Sequence, residues 1–315
     1  MQVRRSLAAV LAVGSILFVT ACAGDEVAST PEDDATTGSA SKGTVAISGQ
    51  SFPEAAMVAS MYEQLLSDAG YSTDVKLVDA RDAYMATFPD SIDIVPEYVG
   101  GIVNFLNSAE NGANAEPLTA GDGQELADAG KELLDAKGIT LLELSEATDA
   151  NAFFVTREFA DSSGVTALSD LEGQSVVLAA APDCEGRLDC EGGLTDEYGI
   201  DVTEVLPLGY ASDQTYQAVL DGEADLGETS TTDGTLESQG LVILEDDKLI
   251  QPAQNLVPAV SSTFLADHPD VEEILNGLMD ALTTEKLTEL NGRVAVDREK
   301  AEDVARDFLE EEGLL

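Results

Sequence analysis

Tryptophan is absent from this 315-residue chain, and histidine occurs once, at His268. A single imidazole leaves no Ser–His–Asp set and no His-based metal centre to assemble. Lys and Arg number 15 against 61 Asp and Glu, a formal net charge of -46. So acidic a chain speaks against nucleic acid, whose phosphates need a basic face, and against anionic lipid headgroups. The acids are spread along the whole length, which reads as a heavily solvated surface rather than one dedicated patch. Carboxylate pairs are therefore plentiful, and none singles out a glycosidase-like site. No cofactor motif stands out, and no catalytic constellation is present.

The apolar run from Leu7 to Val19 is too short to cross a bilayer. Arg4 and Arg5 precede it, the arrangement of a signal peptide over residues 1–21. It ends Val19-Thr20-Ala21-Cys22, which resembles a bacterial lipobox. That resemblance implies lipidation of Cys22, so the protein would be anchored to the outer face of the cell membrane rather than spanning it. An ordinary secretory cleavage leaving an unpaired Cys22 is the alternative. Residues 22–43 are rich in Ser, Thr, Gly, Asp and Glu without an apolar period, as expected of a disordered tether.

The most informative stretch is Asp93-Ile94-Val95-Pro96-Glu97-Tyr98-Val99-Gly100-Gly101. Its β-branched run predicts a buried strand that stops at Pro96, which has no N–H for a ladder. Gly100 and Gly101 then let the backbone turn and lie close to something. Tyr98 is left at the carboxyl end of a strand, where open α/β sheets hold ligands. A second copy follows: Tyr84 to Tyr98 reads YMATFPDSIDIVPEY, and Tyr216 to Ser230 reads YQAVLDGEADLGETS. Each pairs a helical Tyr with an Asp nine residues on, then a strand that breaks into a turn. Tyr98 and Ser230 share a register, which suggests two similar α/β lobes, each presenting a turn to a shared cleft.

Elsewhere strands alternate with helices, an α/β layered fold. Ser51-Phe52-Pro53-Glu54 predicts a helix start with Ser51 as its cap. Strands are expected near 44–48, 74–78, 139–144, 151–155, 175–179, 204–206, 224–226 and 241–244. Three amphipathic helices close the chain, near 270–282, 284–291 and 299–312. Cys184 and Cys190 enclose five residues. In an exported protein they are expected to be bonded, stiffening the loop that carries Arg187. A metal site is less favoured, because no His or further Cys lies near.

Several segments together resemble the substrate-binding lipoproteins of osmoprotectant ABC importers, which bind glycine betaine, carnitine and choline. They are the Asp-Ile-x-Pro-Glu-Tyr turn at 93–98, Asn151-Ala152-Phe153, the Cys-x-x-Arg loop at 184–187 and Thr232-Asp233-Gly234. Leu244-Glu245-Asp246-Asp247-Lys248 and Asn255 before Pro258 complete the set. The resemblance implies a two-lobe periplasmic-binding-protein fold of type II, its lobes joined by hinge segments around a ligand cleft. Lobe 1 would be 44–148 plus 252–315, and lobe 2 149–251. It implies a monomer, not an enzyme, that passes a small osmolyte to an ABC permease and its ATPase.

By the same resemblance Tyr98 and Phe153 are cage walls for a trimethylammonium group, held by cation–π attraction. Arg187 is the partner of the ligand carboxylate. Gln50, Ser51, Phe52, Ser230, Thr231, Gln254 and Asn255 complete the expected ligand-binding set. Ser230 and Gln254 stand where the family has aromatics, Gln50 where a Lys is frequent, and Gly101 where a Thr is found. These departures leave open a more polar ligand, such as an amino acid derivative held by Gln50, Ser230 and Gln254. Tyr71, Tyr84, Tyr210 and Tyr216 are the remaining aromatic candidates, each in a segment better suited to packing. A ligand-sensing lipoprotein and a lipid-anchored enzyme using acidic residues are the readings from other classes.

Overall fold

The computed structural model describes residues 42–112 and 115–315. The signal segment, Cys22 and the tether up to residue 41 lie outside the described residues.

The first half of the chain forms β1 (Thr44–Gln50), α1 (Pro53–Asp68), β2 (Ser72–Val78), α2 (Arg81–Met85), β3 (Ile94–Tyr98), α3 (Val99–Asn111), α4 (Gly123–Lys137) and β4 (Ile139–Leu141). A second set follows: β5 (Asn151–Thr156), α5 (Arg157–Ser163), β6 (Ser175–Ala180), α6 (Glu191–Asp196), β7 (Asp201–Pro207), α7 (Asp213–Leu220), β8 (Leu226–Ser230), α8 (Leu236–Gln239) and β9 (Leu241–Leu244). The chain then returns through β10 (Leu256–Ser261) to α9 (Ser262–Asp267), α10 (Asp270–Ala281), α11 (Thr284–Ala295) and α12 (Ala301–Glu311).

Two five-stranded sheets result, ordered β2-β1-β3-β10-β4 and β7-β6-β8-β5-β9. Their pairing is the same: β1 is parallel to β2 and β3, as β6 is to β7 and β8. The fourth and fifth strands of each sheet pair antiparallel. The repeat at Tyr84–Tyr98 and Tyr216–Ser230 is thus a structural repeat. Tyr98 and Ser230 are the last residues of β3 and β8. In each copy the helical tyrosine reaches residue 13 positions on, Tyr84 donating to Glu97 and Tyr216 lying 3.4 Å from the Thr229 hydroxyl.

Each sheet is covered on both faces, as near-continuous apolar strands require. Alternation decides which face a residue meets. Ile94 and Tyr98 pack with α1 and the C-terminal helices, whereas Val95 and Val99 pack with α3 and α4. Phe153 and Val155 go to one face of the second sheet, and Phe154 to the other. Burying one such aromatic contributes about 1.5–3 kcal/mol.

Three local expectations are corrected. The β3 strand runs through Pro96 to Tyr98, because Pro96 sits opposite Pro258 on antiparallel β10. Two prolines facing each other occupy a pair that exchanges no hydrogen bonds, so the missing N–H groups cost the ladder nothing. Ser51 does not cap α1; its hydroxyl donates to Asp79 Oδ1 at 3.1 Å, and Phe52 occupies the cap position. The strand expected at 224–226 begins only at Leu226 and carries on to Ser230.

Two segments link the sheets, 142–150 and 245–255, and they bond to each other. Leu256 N donates to the Ala147 carbonyl at 2.9 Å and Asp149 N to the Gln254 carbonyl at 3.1 Å. The ends of β1 and β3 on one side, and of β8 on the other, therefore meet beside this pair of crossing segments.

Candidate functional site

A cavity of about 500 Å³ lies where those strand ends meet. Its lining comes from the β1–α1 turn (Phe52, Glu54), the first link (Asp149), the loop after β7 (Tyr210), the end of β8 (Ser230, Thr232) and α11 (Asn291). The size falls within the range of small-molecule sites.

Glu54 is 5% exposed on the first turn of α1. The Tyr98 hydroxyl donates to its Oε1 at 2.5 Å, and Asn291 Nδ2 to its Oε2 at 2.5 Å. The same Asn291 amide donates to the Thr232 carbonyl at 2.9 Å, tying α1 to the loop after β8. Asp149 accepts from the Ser230 hydroxyl at 2.5 Å and the Thr232 hydroxyl at 3.2 Å on Oδ1. Burial pushes the Glu54 carboxyl up to about 7, and the Asp149 charge adds to it, while the bonds from Tyr98 and Asn291 pull the other way. Burial also raises Asp149.

Aromatic rings stand around the two carboxyls. Phe52 stacks on Tyr98 with centroids 6.2 Å apart and planes at 25°. Tyr210, 42% exposed, opens its ring to the cavity. Its phenol is held well above the usual value by burial, then by the Asp149 and Glu228 charges. Asp233, a third carboxyl, is taken up by Tyr216 (2.6 Å), Thr229 (2.5 Å) and Thr235 (2.7 Å). Neither Lys nor Arg appears among the described residues lining the cavity. Electron-rich rings over desolvated carboxyls make a place for a cation without hydrogens to donate.

Of the residues expected from sequence, Phe52 and Ser230 line this cavity, and Tyr98 joins them through its bond to Glu54. Ser230 lines the cavity without an aromatic face, and its hydroxyl donates to Asp149. Phe153 is 1% exposed, packed in the core of the second sheet and against a separate cavity of about 400 Å³. Thr231 and Asn255 border that second cavity as well. Thr231 bonds the Thr148 carbonyl at 2.6 Å, and Asn255 the Ser145 carbonyl at 2.9 Å, so both secure the links. Gln254 Oε1 accepts from Gly101 N at 3.1 Å. That close approach explains the glycine pair: a Cβ on Gly100 would stand 2.5 Å from the Ala253 carbonyl, and one on Gly101 would strike the Arg81 guanidinium. Gln50 ends β1, half-buried and paired with Val78.

Arg187 lies in the loop closed by the Cys184–Cys190 disulfide, which the structure contains. Its guanidinium makes two bonds to Asp189, at 2.9 and 2.7 Å, and a contact with Asp183 at 3.3 Å. Those anions already neutralise it. Glu54, Asp149 and Asn291 were not legible as site residues, and Tyr210, named as an aromatic candidate, was read as better suited to packing. Glu54 reads as a helix-start residue, and one more Asp among so many acids carries no signal.

A family model described as the substrate-binding domain of an ABC-type glycine betaine transport system matches residues 43–311. The chain belongs to this family. A glycine-betaine-binding protein of Pseudomonas aeruginosa is 27% identical over 284 residues, covering 86% of this chain and 89% of the relative. The glycine betaine-binding protein YehZ of Escherichia coli is 26% identical over 279 residues, 82% of this chain and 88% of that one. The solved structure of apo YehZ from Escherichia coli superposes with a TM-score of 0.71 at 24% identity. It covers 86% of this chain and 99% of that one, a likeness that shows the fold.

Proposed function

We propose that this protein captures a quaternary ammonium osmolyte of the glycine betaine, carnitine and choline kind and delivers it to an ABC permease. The cavity lined by Phe52, Glu54, Asp149 and Tyr210, with Tyr98 packed on Phe52 and bonded to Glu54, is the binding site. The observation that carries this reading is the pairing of stacked rings with the buried Glu54 and half-buried Asp149 carboxyls in a space reached from both sheets. A trimethylammonium group is polarising but donates no hydrogen bond, so rings and carboxylates are the groups that hold it. Ligand touching both the β1–α1 turn and the loop after β8 favours the closed arrangement of the halves. The protein works outside the cell membrane, held there by a lipid on Cys22.

A thermal-shift screen tests the reading. Betaines, choline, carnitine, proline and polar amino acids are each compared with buffer. Ligand at a hundred times its Kd stabilises by about 2.7 kcal/mol, a shift of a few degrees. Shifts from quaternary ammonium compounds support the reading. Shifts confined to polar amino acids refute it.

A further inference from the structure

The charges around the cavity are unbalanced in a way that the osmolyte reading does not require. A zwitterion such as glycine betaine brings a carboxylate as well as a cation, and that carboxylate needs a cationic or strongly donating partner. The described lining offers Glu54, Asp149 and Asp233 and no cation. Three guanidiniums are engaged with other anions: Arg81 with Glu97 at 2.8 and 3.0 Å, Arg293 with Glu299 and Asp307 at 2.7 and 2.6 Å, and Arg187 with Asp189 and Asp183. Glu228, 1% exposed and outside the cavity lining, accepts from Ala181 N at 2.7 Å and feels the Arg187 charge.

Resting on the osmolyte reading, we propose that Glu54 and Asp149 set the specificity of the site. They take the ligand's positive charge, so that the cleft favours net cations such as choline over zwitterions such as glycine betaine.

The geometry fits this role. Glu54 comes from α1 and Asp149 from the first link, and each is held by neutral donors: Tyr98 from β3 and Asn291 from α11 for Glu54, Ser230 and Thr232 after β8 for Asp149. Neutral donors orient a carboxylate without cancelling its charge. Asp233, the third acid, is spent on Tyr216, Thr229 and Thr235. Burial, with the Asp149 charge adding to it, raises Glu54 to about 7, and burial raises Asp149 as well. An entering cation favours both ionised, so binding should release a proton near neutral pH and tighten as pH rises. The carboxylate of a zwitterion would instead add a fourth negative group to the same space.

The test is calorimetric titration of the purified protein at pH 8 with choline, tetramethylammonium and glycine betaine, repeated at pH 6. The expected result is choline bound at least tenfold more tightly than glycine betaine, with proton release at neutral pH seen as a buffer-dependent heat. Glu54→Gln and Asp149→Asn should each weaken choline at least tenfold, narrow its preference over glycine betaine and reduce the proton release. Equal or tighter binding of glycine betaine overturns the inference and leaves the osmolyte reading standing, as does choline binding that ignores both substitutions. Failure of all three ligands to bind overturns both. If a variant does not fold, the choline-to-betaine ratio of the unmodified protein and its change between the two pH values decide alone.

Discussion

The Tyr98 hydroxyl donates to Glu54 Oε1 at 2.5 Å, joining the end of β3 to the first turn of α1. Burial and the nearby Glu54 and Asp149 charges raise the phenol well above its usual value, so it remains a donor throughout the physiological range. Tyr98→Ala should therefore weaken quaternary ammonium binding tenfold or more, since it removes both a ring and the donor that orients Glu54. Phe154→Ala should behave differently. Phe154 is 0% exposed in the core of the second sheet, so its loss should cost about 3–5 kcal/mol of stability while Kd stays within threefold where the protein is folded. Titration calorimetry and urea unfolding of the two variants check both halves. The reverse order would place the wrong aromatic in the cleft.

Glu54 also makes stability depend on pH. Its folded value of about 7 exceeds the ordinary 4.5, so the folded state holds the proton more tightly than the unfolded one. This contribution is complete below about 4.5 and is lost as pH rises through about 7. The ligand-free protein should lose on the order of 3 kcal/mol relative to Glu54→Gln across that window. Chemical denaturation of both proteins from pH 4.5 to pH 8 gives the difference, and a flat difference would show Glu54 ionised throughout.

Behind the glycine turn, Arg81 holds the buried Glu97 through two bonds of 2.8 and 3.0 Å. Replacing Arg81 with Ala leaves a carboxylate that is 1% exposed without its cation. The expected loss is about 3–5 kcal/mol in urea unfolding. A loss under 1 kcal/mol would mean that Tyr84 and the Tyr98 amide suffice for Glu97.

The Cys184–Cys190 bond closes a short loop. By the chain-entropy estimate the double change Cys184→Ser, Cys190→Ser should destabilise by about 2 kcal/mol. Arg187 pairs within this loop, with Asp183 and Asp189. If Arg187 stays outside the ligand contact, choline affinity should change less than threefold. Calorimetry on the serine variant measures it.

Much of the architecture was legible because it rests on periodicity and on an internal repeat. The copies at Tyr84–Tyr98 and Tyr216–Ser230 carry the same helix–strand unit, and both sheets follow the same pairing. Pro96 misled because the strand end depended on its partner, Pro258, distant in sequence and adjacent only in the sheet. In the site, Tyr98 was legible from its place at a strand end. Tyr210 was visible only as one of four further aromatic candidates better suited to packing, because its exposure depends on how the loop after β7 folds. Glu54 and Asp149 became distinct from the other acids only through burial and neutral partners, which no spacing encodes.

Tetramethylammonium is the smallest probe of the central claim, since it carries the quaternary cation and nothing else to bond. Calorimetric titration into the purified protein at pH 8 should show one site per chain, with choline competing for it and Tyr98→Ala weakening it. Absence of binding by both tetramethylammonium and choline, with a polar amino acid bound instead, would contradict the account.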